Sequence, residues 1–276
     1  LFALDLEVHE GGCALLVRLG GLRDFLLGIK FVDGMGNLVR SGGKVVKNAA
    51  GFDLSKFMVG SLGHYGVLVE VTLKVFPQPA EYLTLRVEYP AVSGALAALT
   101  KLTATPFELF ALDLEVHEGG CALLVRLGGL PETLPARLDR LRSELLALPQ
   151  GQGVNAEAFS RFEGSTEAEL WRTAREFLWV EPGHALVKVP ITPQRVPPLD
   201  EWLADHGALR RYSAGGNLAW IAWQGSIEPL HALLQEQGFS GLAILGSVDQ
   251  PFLGKRVGDA FARRVKNALD PQCKFG

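Results

Sequence analysis

The chain has 276 residues, 48% of them hydrophobic, with a formal net charge of -3, which gives it the length for two domains and the apolar content for a substantial core. The slightly acidic balance supplies no basic field, so no nucleic-acid partner is expected. Cys13, Cys121 and Cys273 lack metal-ligand spacing and are too few for a disulfide framework, no apolar run reaches the ~20 residues of a membrane-spanning helix, and no signal peptide opens the chain, which therefore reads as cytosolic with any membrane attachment made through partners.

Residues 1–22, LFALDLEVHEGGCALLVRLGGL, recur letter for letter at 109–130. Evolved repeats drift, so an unsubstituted copy reads as a recent duplication, a fusion scar or an assembly error, the artefact being favoured. Within it, His9-Glu10-Gly11-Gly12 reads as a hairpin turn. An apolar run over 26–32 then ends in Asp33-Gly34-Met35-Gly36-Asn37 and resumes at Leu38, the pattern of a β-hairpin. The stretch 42–67 follows, with glycines crowded at both ends. Asp53 is placed to cap a short helix whose Leu54, Phe57 and Met58 face a core. Residues 67–76 alternate, with Val67, Val69, Val71, Leu73 and Val75 on one side and Glu70, Thr72 and Lys74 on the other, a strand of period two. Pro77-Gln78-Pro79 stops it and marks a linker. A glycine-rich turn with N–H groups free, the Ser61 hydroxyl and Lys47 nearby suits an anion such as a pyrophosphate; plain turn chemistry is the competing reading, and neither a P-loop nor a Rossmann pattern is present.

Beyond the linker the pattern runs through two rounds. The first has a strand at 82–89, a helix at 91–102, strands at 107–115 and 119–127 turned by Glu118-Gly119-Gly120, and a helix at 131–147 with Leu134, Leu138, Leu141 and Leu145 on one face. Residues 150–165 read as a loop and 166–179 as an amphipathic helix whose Trp171 and Trp179 read as core, with a partner surface as the competing reading. The second round has a strand at 185–189, a helix near 197–206, strands near 209–213 and 217–223, a helix near 227–237 and a strand at 242–245. The β-α-β-β-α-β order makes the fold class α+β, with two ferredoxin-like units sharing one antiparallel sheet, helices on one face and the other face free. Lys188 and Arg210-Arg211, placed on that free face, are candidates to pair with a carboxylate substrate, with a solvated strand face as the competing reading. His184, His206 and His231 stand singly at element ends and read as solvated or capping, and no metal site is expected. A helix over 254–269 carries the stripe Val257, Phe261, Val265 and Ala268 until Asp270-Pro271 ends it.

The run GGKVVKNAAGFDLSKFMVGSLGHYGVLVEVTLKVFPQP at 42–79 resembles the second half of the FAD-binding domain in the vanillyl-alcohol-oxidase (PCMH-type) FAD-linked oxidases, and among them the FAD-binding subunits of bacterial glycolate oxidases. Two spaced elements carry it, K-N-x-x-G-[YF]-D-L from Lys47 and G-S-x-G-x-x-G-[VI] from Gly60 to Val67. The resemblance implies that Gly60, Ser61 and Gly63 lie along the flavin and its pyrophosphate, that the backbone of Val67 reaches the adenine end, and that Lys47, Asn48, Gly51 and Asp53 wall the cofactor; Leu62 and Gly66 complete the set. His64-Tyr65 stands where Thr-Leu is more usual. The tail from Lys266 to Gly276 resembles the family's closing K-x-x-[LF]-D-P element, whereas the histidine-rich cap motif of catalytic members is not found.

On this reading 1–22 is the duplicated segment, 23–79 a partial FAD-binding domain, 80–250 a cap and substrate domain, and 251–276 a helix and tail returning to the FAD domain. The first half of the flavin domain is missing on this reading, so the chain is expected to hold FAD poorly or not at all and to be inactive alone. The implied activity is oxidation of glycolate or a similar 2-hydroxy acid, with FAD accepting the hydride. The implied partners are a catalytic flavoprotein subunit and an iron–sulfur subunit. A non-catalytic scaffold, or an oxidase of D-lactate or an aldonolactone, is the alternative.

Overall fold

The computed structural model describes residues 22–43, 53–148, 154–256 and 258–275. These form two compact units, one from the residues up to Gln78 together with those after Arg256, the other from Pro79–Arg256. The copy at 1–22 falls almost wholly outside the described residues.

In the first unit a one-turn helix α1 (Leu22–Phe25) leads into β1 (Leu26–Val32), the central strand of an antiparallel sheet flanked by β2 (Leu38–Gly42) and β3 (Val67–Leu73). The β1–β2 turn closes because the Asp33 carboxylate accepts the backbone N–H groups of Met35 at 2.9 Å and Asn37 at 2.8 Å. Between β2 and β3 lies α2 (Leu54–Phe57). Leu26, Ile29, Phe31 and Met58 form the core, and Leu54, Phe57, Tyr65 and Leu68 pack against it with Leu269 of the C-terminal helix Asp259–Leu269.

The valines of β3 do not share one face as the alternation suggests. Phe31 pairs with Leu68 and Lys30 with Glu70, so Val69 is an extra residue, a bulge that reverses the side-chain order. Val71 then pairs with the buried Ile29, while Val67 pairs with Val32 on the opposite face.

The second unit runs β4 (Glu81–Tyr89), α3 (Val92–Thr103), β5 (Leu109–His117), β6 (Gly120–Gly129), α4 (Leu134–Leu146), β7 (Phe159–Glu163) and α5 (Gly164–Arg175). It continues through β8 (Ala185–Pro190), α6 (Val196–Asp205), β9 (Leu209–Ser213), β10 (Leu218–Trp223), α7 (Glu228–Glu236), β11 (Ser240–Leu245) and β12 (Phe252–Gly254). Its strands form one antiparallel sheet in the order β12-β11-β8-β10-β9-β5-β6-β4-β7. In each round the first strand lies between the third and the fourth. The two rounds meet where β5 pairs with β9, through Leu114 with Tyr212 and Glu115 with Arg211. The apolar core is built from Leu83, Leu85, Val87, Leu112, Leu114 and Ile221 on the strands and from Leu99, Leu141, Leu199 and Leu230 on α3, α4, α6 and α7.

Three segments differ from expectation. Residues 159–163, within the expected loop, are the edge strand β7, paired with β4; the polar Ser160, Arg161 and Glu163 conceal a strand that needs apolar residues only at Phe159 and Phe162. Helix α5 ends at Arg175 because Phe177 takes a left-handed φ of 56°, leaving Trp179 off the helix. The C-terminal helix begins at Asp259 rather than 254, since Gly254 and Gly258 adopt φ of 69° and 80° and Phe252–Gly254 pairs with β11.

Candidate functional site

Lys47, Asn48 and Gly51 lie outside the described residues. Asp53 caps α2. Its Oδ1 accepts the Lys56 backbone N–H at 3.1 Å, with the Lys56 ammonium 3.2 Å from Oδ2, and the backbone bond above all holds its carboxyl below the usual value. One helical turn later the chain enters the glycine-rich bend, where Ser61 N–H donates to the Met58 carbonyl at 3.1 Å and His64 N–H to the Ser61 carbonyl at 2.9 Å. Gly60, Leu62 and Gly63 take positive φ of 83°, 50° and 84°.

The glycines of this bend divide by what surrounds them. Among the described residues, no atom lies within 4 Å of where a Cβ on Gly60 or Gly63 would stand, and the N–H groups of Leu62 and Gly63 go to no backbone carbonyl. At Gly66 a Cβ would stand 2.6 Å from the Val32 carbonyl oxygen and 2.8 Å from Cδ2 of the buried Phe31. Gly66 is therefore a packing requirement of β3 against β1, whereas Gly60 and Gly63 have no such neighbour among the described residues. Val67, the first residue of β3, and Leu62 are exposed, and Ser61 is half-buried.

The C-terminal helix closes the far side of the bend. Lys266 Nζ donates to the His64 carbonyl at 2.7 Å, to Asp270 Oδ2 at 2.7 Å and to the Phe275 carbonyl at 2.6 Å. The fully buried Asp270 also accepts the N–H groups of Lys274 and Phe275, each at 2.9 Å. Burial alone raises its carboxyl, but Lys266 and these two N–H groups outweigh it and bring it down to about 2.

In the second unit, the sheet face away from α3, α4, α6 and α7 carries a chain of charges. The buried Arg211 reaches Asp113 Oδ2 at 3.3 Å and Glu115 Oε2 at 3.3 Å. Arg86 joins Glu115 at 3.3 Å to Glu88 at 2.6 Å, and Glu88 meets His117 Nε2 at 2.9 Å. Burial raises the Asp113 carboxyl against the pull of Arg211, and the Glu118 carbonyl, then Glu88, raise the His117 imidazole. The expected Arg210-Arg211 pair is split, because successive strand residues face opposite sides. Arg210 turns to Asp200 of α6 at 2.6 Å, which also accepts the Tyr212 hydroxyl at 2.8 Å. Arg211 is buried rather than solvated, with its guanidinium held by two acids. Lys188 stands with its ammonium 5.6 Å from the Trp220 ring centroid, and desolvation lowers its pKa.

Helix α5 covers part of this face, which the sequence reading left free. The buried Glu167 accepts from Arg126 Nε at 2.7 Å and Nη2 at 3.0 Å and from the Thr84 hydroxyl at 2.9 Å, and Thr84 accepts the Trp171 indole N–H at 2.8 Å. Beside it, where β5 meets β9, lies a cavity of about 650 Å³ walled by Glu115, Phe162, Leu170, Trp179 and Arg211. The Trp179 indole N–H is buried and has no hydrogen-bond partner among the described residues. Sequence reading missed Glu167 and the Glu88–His117 pair, since their partners stand 41 and 29 residues away in the chain. A charged residue recurring on a face expected to be polar gives no separate signal. Among the described residues, no cluster of three or more His, Cys, Asp or Glu is arranged to hold a metal, and no helix is long and apolar enough to cross a membrane.

No family model matches the chain. It is 35% identical over 153 residues to glycolate oxidase subunit GlcE of Escherichia coli (strain K12), covering 55% of this chain and 42% of that protein. It is 33% identical over 100 residues to glycolate oxidase subunit GlcD of Bacillus subtilis (strain 168), covering 36% and 21%. By sequence the chain is thus similar, over part of their length, to subunits of oxidising enzymes. A third such relative, the mitochondrial D-lactate dehydrogenase [cytochrome] of Arabidopsis thaliana, is 27% identical over 185 residues, 62% of this chain and 32% of that one. The chain thus spans less than half the length of each of these oxidoreductases. The structure of 4-ethylphenol oxidase from Gulosibacter chungangensis in its isoeugenol complex matches at a TM-score of 0.56 and 12% identity, over 90% of this chain and 64% of that one, and this likeness bears on the fold alone.

Proposed function

We propose that the chain is the FAD-binding subunit, or a piece of it, of a complex that oxidises glycolate or a similar 2-hydroxy acid. The observation that carries this reading is the bend from Gly60 to Val67: left-handed glycines and, among the described residues, no atom against two of their α-carbons and no backbone carbonyl that takes the N–H groups of Leu62 and Gly63. Such a surface fits an anionic diphosphate met by backbone donors. Lys47 would add a positive charge, and Asn48, Gly51 and Asp53 would wall the nucleotide. FAD, when bound, supplies the hydride-accepting ring. The chain's own residues bind and orient the cofactor, and Gly66 keeps the bend seated on β1.

The sheet of the second unit is read as two ferredoxin-like units, supported by the order β7-β4-β6-β5 in one round and β11-β8-β10-β9 in the other. On this reading the second unit is the cap and the tail after Arg256 belongs with the flavin unit. The similarity to both GlcE and GlcD supports a second flavoprotein subunit as partner, and an iron–sulfur subunit completes the complex, with the assembly in the cytoplasm and any membrane contact made through partners.

Titrating the purified chain with FAD and following flavin fluorescence tests the reading. Weak, saturable quenching is expected, abolished by Gly63→Val while intrinsic tryptophan fluorescence stays unchanged. Unchanged flavin binding by the Gly63→Val variant, or no quenching at millimolar FAD, overturns it. Anaerobic bleaching of the reconstituted complex by glycolate against D-lactate then decides the substrate.

A further inference from the structure

We infer that Lys266 is a positioning residue that locks the glycine-rich bend to the C-terminal tail. An ammonium has three N–H donors, and all three are in use here: on the His64 carbonyl at 2.7 Å, on Asp270 at 2.7 Å and on the Phe275 carbonyl at 2.6 Å. The His64 carbonyl belongs to the peptide joining His64 to Tyr65, inside the bend, so its bond fixes how that peptide plane is turned. The other two bonds anchor Lys266 itself. Asp270 is fully buried and holds the tail by the N–H groups of Lys274 and Phe275, and Leu269, just before it, accepts the Gly34 N–H at 2.7 Å.

The lock is fitted to this geometry. A Cβ on Gly34 would stand 2.2 Å from Asp270 Oδ1, so only glycine lets the β1–β2 turn lie so close to the anchor. Aromatic rings reinforce the grip: Phe57 of α2 packs on Tyr65 with centroids 4.8 Å apart and on Phe261 of the C-terminal helix at 5.9 Å. Three segments far apart in sequence, 57–65, 261–275 and the turn at Gly34, thereby hold one another. Gly60 and Gly63 give the bend many alternative backbone conformations, and a tie at its His64 peptide removes most of them before any ligand arrives. What the locked bend then holds rests on the function proposed above.

Hydrogen exchange measured by mass spectrometry on the full chain tests the lock directly. Lys266→Met is expected to speed exchange in peptides covering 60–67 about tenfold, as removal of a charge-assisted hydrogen bond requires, while protection of β1 is retained. Lys266→Arg, which keeps a cation and several donors, is expected to restore most of the protection. Unchanged exchange at 60–67 in Lys266→Met overturns the inference, and so does an equal loss across β1 and β3, which marks a merely structural role. A parallel FAD titration separates this proposal from the previous one: if the bend loosens and flavin affinity does not fall, the lock stands and the assignment of the bend to FAD fails.

Discussion

Replacing Gly66 by alanine isolates the packing role of that glycine from any role in binding. The backbone at Gly66 has φ of 153°, a region that L-residues avoid at a cost of about 1–3 kcal/mol. The added Cβ would press at 2.6 Å on a backbone carbonyl of β1 and at 2.8 Å on Phe31, neither of which is the loose end of a flexible side chain, so overpacking adds roughly 1–3 kcal/mol. Together these destabilise the first unit by about 4 kcal/mol, which corresponds to a loss of exchange protection in β1 and β3 of about a thousandfold. Gly63→Ala meets no described atom within 4 Å and carries only the strain of its left-handed φ, about 1–2 kcal/mol. All five tryptophans, at 171, 179, 202, 220 and 223, lie in the second unit, so their fluorescence monitors that unit while exchange at β1 and β3 monitors the first. Equal loss of protection in Gly66→Ala and Gly63→Ala would refute the reasoning.

Other outcomes follow from the same geometry. Glu167→Ala leaves the Arg126 guanidinium and Thr84 without their buried acceptor, a loss of roughly 3 kcal/mol that should lower the urea midpoint read by tryptophan fluorescence by about 1 M. The Asp270 carboxyl is held at about 2, below its ordinary 3.8, so the stability it contributes is fully present above about pH 4 and is lost as the pH falls toward 2. Far-UV circular dichroism and exchange at β1 should show an acid limb in that window, and Asp270→Asn should remove it. His117 is raised by the Glu118 carbonyl and by Glu88, so its contribution is present at low pH and fades as pH rises past its ordinary 6.5; an imidazole titrating at or below 6.5 by nuclear magnetic resonance would contradict this.

Much of the architecture is legible in the sequence because hydrophobic period decides it. The leucines at 134, 138, 141 and 145 announce one buried helix face, and that face is buried. Asp53 reads as a cap from its place before Leu54, and its carboxylate takes the Lys56 N–H. Legibility fails where backbone geometry or a distant partner intervenes. A single inserted residue at Val69 reverses a strand face without altering composition, and Phe177 ends a helix through a left-handed φ that no aromatic residue advertises. The polar face of the large sheet is the least legible part, because Arg211 and Glu167 meet their partners only once β5 and β6 bring distant acids and bases to them. The glycine-rich bend stands out in the sequence, yet only coordinates separate Gly66, which packs, from Gly60 and Gly63, whose missing Cβ atoms would meet no described atom.

The seam between the two rounds of the large sheet has a mechanical consequence. Two residue pairs stitch β5 to β9, whereas β4 and β6 are joined by nine, so shear or twist applied to this unit concentrates at one weak joint. Arg211 spans that joint like a strap, one end on β9 and the other on the acids of β5. The 650 Å³ cavity has walls on both sides of it. Any torque that opens the joint therefore changes the size of the chamber, and the strap sets how stiffly the two leaves resist.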